Sequence, residues 1–125
     1  MKRFVVFTLL VVVSAIALTF SQWFITTDKS SYGADEVVQI TYTNFSSDAV
    51  TFPNTAPWQV VNRQGKVIYR PTAGQLLWEL PSGEQYQWNW DRRIGDGTSY
   101  CPPGWYRIHF YTTGQRSQPF RLRNN

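Results

Sequence analysis

Gln85-Tyr86-Gln87-Trp88-Asn89-Trp90-Asp91 alternates polar and aromatic residues without a break. Successive side chains of an extended strand point to opposite faces, so Tyr86, Trp88 and Trp90 share one face, while Gln87 and Asn89 share the other. A helix would instead need apolar residues three and four apart. The same period of two recurs outward from this stretch. Val38, Ile40 and Tyr42 stand against Gln39, Thr41 and Thr43, and Tyr106, Ile108 and Phe110 stand against Arg107, His109 and Tyr111. Phe120 and Leu122 face away from Arg121 and Arg123. Such segments are half-buried strands, with Tyr86, Trp88 and Trp90 expected in the core.

Turn chemistry separates these segments at short intervals. Tyr32-Gly33-Ala34-Asp35, Asn44 to Asp48, Asn62-Arg63-Gln64-Gly65, Pro81-Ser82-Gly83-Glu84, Gly95-Asp96-Gly97 and Pro102-Pro103-Gly104 combine glycine, proline and short polar residues. Strands are expected near 22–28, 37–43, 49–53, 58–62, 66–70, 76–80, 85–91, 105–112 and 118–123. No helical period of useful length follows the first twenty or so residues. Regularly spaced short strands predict an all-β chain, an immunoglobulin-like antiparallel sandwich of about seven to nine strands.

The chain has 125 residues, enough for one domain of this kind after an N-terminal apolar leader. Aromatic residues make up 17%, sufficient for a core without disulfides. Lys2 and Arg3 precede an uncharged run from Phe4 to Phe20, expected to form one apolar helix that directs the chain outward across the cytoplasmic membrane. Two readings of residues 1–21 stay open. Ala15-Ile16-Ala17 offers a signal-peptidase pattern, with Thr19-Phe20-Ser21 a weaker second, whereas the length of residues 4–20 sits at the lower limit of a retained membrane anchor. No lipobox cysteine follows. Either reading places the domain, residues 22–125, outside that membrane: secreted, periplasmic or tethered.

The formal charge is +4, and setting Lys2 and Arg3 aside leaves +2, too little to point to nucleic acid. Solitary Cys101 excludes an internal disulfide and a multi-cysteine zinc site; it reads as a semi-buried loop thiol or a link between two chains. Asp91 and Asp96 flank a loop that lacks the clustered oxygen ligands of a calcium site and includes Arg92 and Arg93. His109 is the one histidine, mid-strand and facing away from Ile108 and Phe110, and no nucleophile-elbow motif accompanies it. These features predict no enzyme, no metal and no cofactor.

The anchors fall in a recognisable order: Asn44-x-Ser46, Asp48 to Phe52, Gly65 to Tyr69, Leu80-Pro81-Ser82-Gly83-Glu84, Trp88-Asn89-Trp90-Asp91, Gly97 and Pro103-Gly104-Trp105-Tyr106. This order resembles the BsuPI family, named for an intracellular proteinase inhibitor of bacilli. It covers nearly all of residues 30 to 112 and is strongest from Leu80 to Tyr106. The resemblance implies an immunoglobulin-like sandwich and a protein partner, with a protease as one version. Two departures stand out. Ser82 occupies the place where the family usually has proline before Gly-Glu, and the name-giving inhibitor is cytoplasmic whereas this chain has an export leader. No contact residue carries over.

Three features are candidates for binding. The segment Ser99-Tyr100-Cys101-Pro102-Pro103 is stiffened by proline, as a loop that enters a protease cleft must be. Arg107, His109, Arg121 and Arg123 share one outward face if the last two strands pair, with Tyr111 alongside. That face would dock an anionic partner or simply keep the sheet soluble and its edge unpaired. Trp58, Trp78 and Trp105 are less clearly core than Trp88 and Trp90, and an exposed pair would make a carbohydrate platform. Asn44-Phe45-Ser46 also fits a glycosylation sequon. The expected function is an exported non-enzymatic binding module for a protein partner, with a proteinase inhibitor of the BsuPI type as one version. The alternatives are a structural cell-surface or filament subunit, able to self-associate, and a carbohydrate- or anionic-polymer-binding module.

Overall fold

The computed structural model describes residues 22–95 and 99–125. The apolar leader and Asp96 lie outside the described residues. Thirteen strands and no helix occur among the described residues. They are β1 (Ile25–Thr27), β2 (Ser31–Tyr32), β3 (Val38–Thr43), β4 (Val50–Asn54), β5 (Trp58–Asn62), β6 (Val67–Tyr69) and β7 (Gln75–Leu80). Then follow β8 (Gln85–Trp90), β9 (Arg93–Ile94), β10 (Ser99–Tyr100), β11 (Gly104–Phe110), β12 (Gln115–Arg116) and β13 (Phe120–Leu122). Nine stand where alternation placed strands; β2, β9, β10 and β12 are two-residue additions.

Two principal sheets face each other. One has the order β1-β3-β8, the other β2-β13-β11-β5-β6 with β12 also on β11, and β4-β7 and β9-β10 form two-stranded pairs. All pairings are antiparallel except β2 with β13. Rings bridge the sheets: Tyr42 of β3 lies 4.9 Å from Phe110 of β11, and Trp88 of β8 lies 5.5 Å from the same ring. The inward residues Val38, Ile40 and Tyr42 meet Tyr106, Ile108 and Phe110, all buried. Burial of each large apolar side chain contributes about 1.5–3 kcal/mol.

The chain changes sheets between β1 and β2, and Asp28 fixes the crossing. Its Oδ1 accepts from the Tyr32 hydroxyl at 2.6 Å and from the Gln39 amide at 3.0 Å. Burial, reinforced by the Asp28 carboxylate, raises the Tyr32 pKa well above its ordinary value, so the phenol stays a donor.

Asn44 organises the opposite end. It is fully buried, its Nδ2 donating to the Asp48 and Leu80 carbonyls at 2.8 and 2.9 Å. Its Oδ1 accepts from the Ser46 amide and hydroxyl. The turn beside it closes between the Pro81 carbonyl and the Glu84 amide, with Gly83 at φ +81°, the left-handed third position of a type II turn. The Gly83 amide then donates to the Asn44 carbonyl at 2.7 Å. A glycan on Asn44 would displace this network, so the sequon match is a buried structural asparagine.

The aromatic stretch that announced the fold is buried unevenly. Trp90 is buried and Trp88 partly so, but Tyr86 is 47% exposed. Tyr86 has the right phase but sits on a strand at the rim of the three-stranded sheet. Trp78 of β7, with ring centroids 5.0 Å apart, covers part of it. Replacing Asn44 with alanine strands the Leu80 and Asp48 carbonyls and the Ser46 donors. Equilibrium urea unfolding should show a loss of about 3 kcal/mol; a loss below about 0.5 kcal/mol would show the network to be dispensable.

Candidate functional site

β11 has two faces, and its outward residues Trp105, Arg107 and His109 lie over the six-stranded sheet. β5 pairs along one side, setting Arg107 opposite Val61 and His109 opposite Gln59. β13 and β12 share the other side, setting Trp105 opposite Arg121 and His109 opposite Arg116. Between β12 and β13 the chain bulges at Ser117 to Pro119. Fully buried Ser117 holds this bulge: its amide donates to the Ile108 carbonyl, and its Oγ accepts from the Ile108 amide and donates to the Gln118 carbonyl, all at 2.9 Å.

An open groove of about 750 Å³ crosses this face. Val61, Tyr106 and Arg107 line it from the central strands, Arg116 and Pro119 from the bulged side, and the turn Asn62–Gly65 from the other, with Trp105 completing it. The Asn62 side chain builds that turn, its Oδ1 accepting from the Gln64 and Lys66 amides at 3.0 and 2.9 Å. The Gly65 amide closes back on the Asn62 carbonyl, with Gly65 at φ +84°. Arg63 is thus carried on a braced turn. The lining holds Arg63, Arg107 and Arg116 and no carboxylate. None of these arginines, nor Arg121 beside Trp105, makes an ion pair among the described residues. Trp105 is 46% exposed. A smaller depression of about 230 Å³ lies along β1, where Asp28 and Lys29 carry opposite charges.

The four residues expected to form a basic face take different tasks. Arg107 and Arg121 stand at or beside the groove. Arg123 lies 3.6 Å from Glu36, which also pairs with Lys29. His109 joins a fixed chain: the Arg70 guanidinium donates twice to Gln59 Oε1, at 2.6 and 3.1 Å, and Gln59 Nε2 lies 3.0 Å from His109 Nδ1. A guanidinium only donates, so Gln59 is oriented with its amide nitrogen toward the ring, and neutral Nδ1 accepts. Arg70 also lies over the Tyr111 ring at 4.4 Å. Arg63 and Arg116 complete the basic set, and the linear pattern did not reveal them.

The proline-stiffened segment is divided by its own burial. Ser99 and Tyr100 are exposed on β10, Cys101 is buried at 2%, and Pro102 and Pro103 are exposed again. The Cys101 amide donates to the Arg92 carbonyl at 2.7 Å, and the Tyr106 hydroxyl donates to the Pro102 carbonyl at 2.6 Å. Burial pushes the Cys101 thiol up, against smaller opposing effects of Tyr106 and Arg92, and keeps it protonated at neutral pH. Arg92 turns inward at φ +68° and donates to the Gly33 carbonyl. Asp91 faces Arg93 at 3.5 Å. No three of His, Cys, Asp and Glu gather around a metal-sized space among the described residues. The tryptophans divide as well: Trp58 is buried, Trp78 is partly buried and donates to the Asn54 carbonyl at 2.6 Å, and Trp105 is open. Elsewhere, the consecutive β7 residues Leu76 and Leu77 are 56% and 75% exposed.

No family model matches this chain, and no curated protein matches it. Among solved structures it is similar to the Pseudomonas fluorescens alkylpurine DNA glycosylase AlkC bound to DNA containing an abasic site analog. The TM-score is 0.38 at 16% identity, over 82% of this chain and 31% of that one. A likeness this weak bears on neither fold nor function here.

Burial first, and the positive charge of Arg116 second, lower the His109 pKa below its ordinary 6.5. The unfolded chain then takes up this proton more readily than the folded one. Its contribution to stability is therefore present above about pH 6.5 and is lost as pH falls through the folded value. Imidazole NMR should place the His109 midpoint below that of a denatured reference, and His109→Gln should flatten the acid-side loss of melting temperature. A midpoint at or above the reference would contradict the burial of His109 beside Arg116.

Proposed function

We propose that the chain is an exported, non-enzymatic binding module, an immunoglobulin-like sandwich of the type the BsuPI resemblance implies, that takes a negatively charged partner on the outer face of its larger sheet. The strand orders β1-β3-β8 and β2-β13-β11-β5-β6 support the immunoglobulin-like assignment. They parallel the pairing of first, second and fifth strands against a sheet built on the third, sixth and seventh. The single observation that carries the binding reading is the groove of Arg63, Arg107 and Arg116 around half-exposed Trp105, with no carboxylate in its lining. Guanidinium groups that make no ion pair among the described residues are ready to form charge-assisted, bidentate bonds to carboxylate, phosphate or sulfate. Local positive potential also speeds the encounter with such a partner. An inhibitor working through residues 99–103 would have to act through separated exposed pieces, because Cys101 faces inward.

The test is titration of the full-length protein with polyglutamate, polyphosphate and polygalacturonate, read by tryptophan fluorescence at several salt concentrations. At least one polyanion should bind with salt-sensitive affinity, and the triple change Arg63→Gln, Arg107→Gln, Arg116→Gln should weaken it about tenfold or more. The control Lys29→Gln, Lys66→Gln, Arg93→Gln removes equal charge elsewhere. Equal weakening by both sets would reduce the effect to net charge and sink the groove as the site.

A specific observation also favours a second reading, a self-associating surface subunit. Leu76 and Leu77 are exposed on β7, which pairs with β4 on one edge and with no described strand on the other. Unprotected edges of this kind add strands from neighbours. Sedimentation of the full-length protein in detergent should then show concentration-dependent dimers that Leu77→Lys abolishes; a monomer throughout the range would exclude this reading.

A further inference from the structure

We infer that the groove is a subsite for an acidic polysaccharide, with one pyranose ring stacked on Trp105 and its uronate carboxylates held by Arg63, Arg107 and Arg116. This inference rests on the anion-binding reading of the same groove and names its ligand. A pyranose has a face of C–H groups and a rim of hydroxyls, so it needs a flat apolar surface flanked by hydrogen-bonding groups. Trp105 provides the surface: its indole is 46% exposed, although a large ring in a small sandwich ordinarily packs inside. Gln64 adds a neutral amide to the lining. Arg107 stands two residues along the same strand face, about 7 Å away. A carboxylate on the rim of a ring stacked at Trp105 therefore falls within reach of that long side chain, whose planar fork donates two parallel bonds to it.

The strands beneath the groove favour a sugar over an acidic peptide. Extended peptides are held chiefly by main-chain bonds to an open sheet edge. Here β5 and β11 are interior strands whose backbone groups are engaged on both sides by β6, β12, β13 and each other. The polar groups of the lining are side-chain amides and guanidiniums, set around the Trp105 ring with Val61 and Pro119 as apolar neighbours. A single-stranded nucleic acid would seek successive rings on which bases stack, whereas Trp105 is the one exposed ring in the lining.

The experiment uses the full-length protein and four probes of similar length: tetragalacturonate, its methyl ester, tetraglutamate and a deoxythymidine tetramer. Binding is read by tryptophan fluorescence and by saturation-transfer NMR of the sugar protons. Tetragalacturonate should bind, with the ester and tetraglutamate each weaker by about tenfold or more. Trp105→Ala should weaken tetragalacturonate by about tenfold while leaving the weaker tetraglutamate binding within about twofold. Ring protons H3 to H5 should receive the strongest saturation. The melting curve of Trp105→Ala, and the parallel variant Trp105→Phe with partial retention of sugar binding, separate lost stacking from lost folding. Equal binding of tetraglutamate or the nucleotide, or indifference of tetragalacturonate to Trp105, would overturn the sugar assignment while leaving an anion site. Binding of none of the probes, with the polyanions also inert, would overturn both.

Discussion

The pairing of β11 with β5 on one side and with β12 and β13 on the other is the constraint on which the remaining structure depends. A strand alternates, so one register fixes two surfaces at once. Tyr106, Ile108 and Phe110 are committed to the core, where Phe110 meets Tyr42 and Phe52. The same register must turn Trp105, Arg107 and His109 outward. Slipping it by one residue would bury arginine and expose phenylalanine, a cost no surface interaction could offset. The groove therefore inherits its precision from the core beneath it.

Much of this was legible in the chain because its strands are long enough to show a period. Val38 to Thr43 and Gly104 to Phe110 could be read directly, and so could the turns that contain Gly65 and Gly83. The two-residue strands could not. Ser31–Tyr32 is a strand only because β13 lies beside it in parallel, and Gln115–Arg116 only because β11 receives it. Tyr86 shows a different limit. Its phase was correct, but phase reports a face and not how far the opposite sheet extends over it.

The proposed binding face was half legible for the same reason. Arg107 and Arg121 follow from alternation, since both oppose buried neighbours. Arg63 lies in a turn and Arg116 in a strand too short to have a pattern, and only the folded register brings them to Arg107. His109 and Arg123 had the right phase yet found partners within the protein, Gln59 and Glu36, that no periodicity announces. Periodicity assigns a side chain to a face; tertiary neighbours decide whether its charge remains available.

Net charge misleads here by averaging. Setting aside Lys2 and Arg3 leaves +2 on the rest of the chain, whereas the groove holds three guanidiniums and no acid. Solubility alone would be served by arginines scattered over both faces and interspersed with carboxylates. It would not call for clustering them around a large ring left open to water, since that arrangement leaves cationic repulsion unrelieved and apolar area unburied. An anion bearing an apolar face relieves both at once. It neutralises the guanidiniums while covering the indole, and that coincidence of unmet charge and uncovered ring distinguishes this groove from an ordinary solvated sheet.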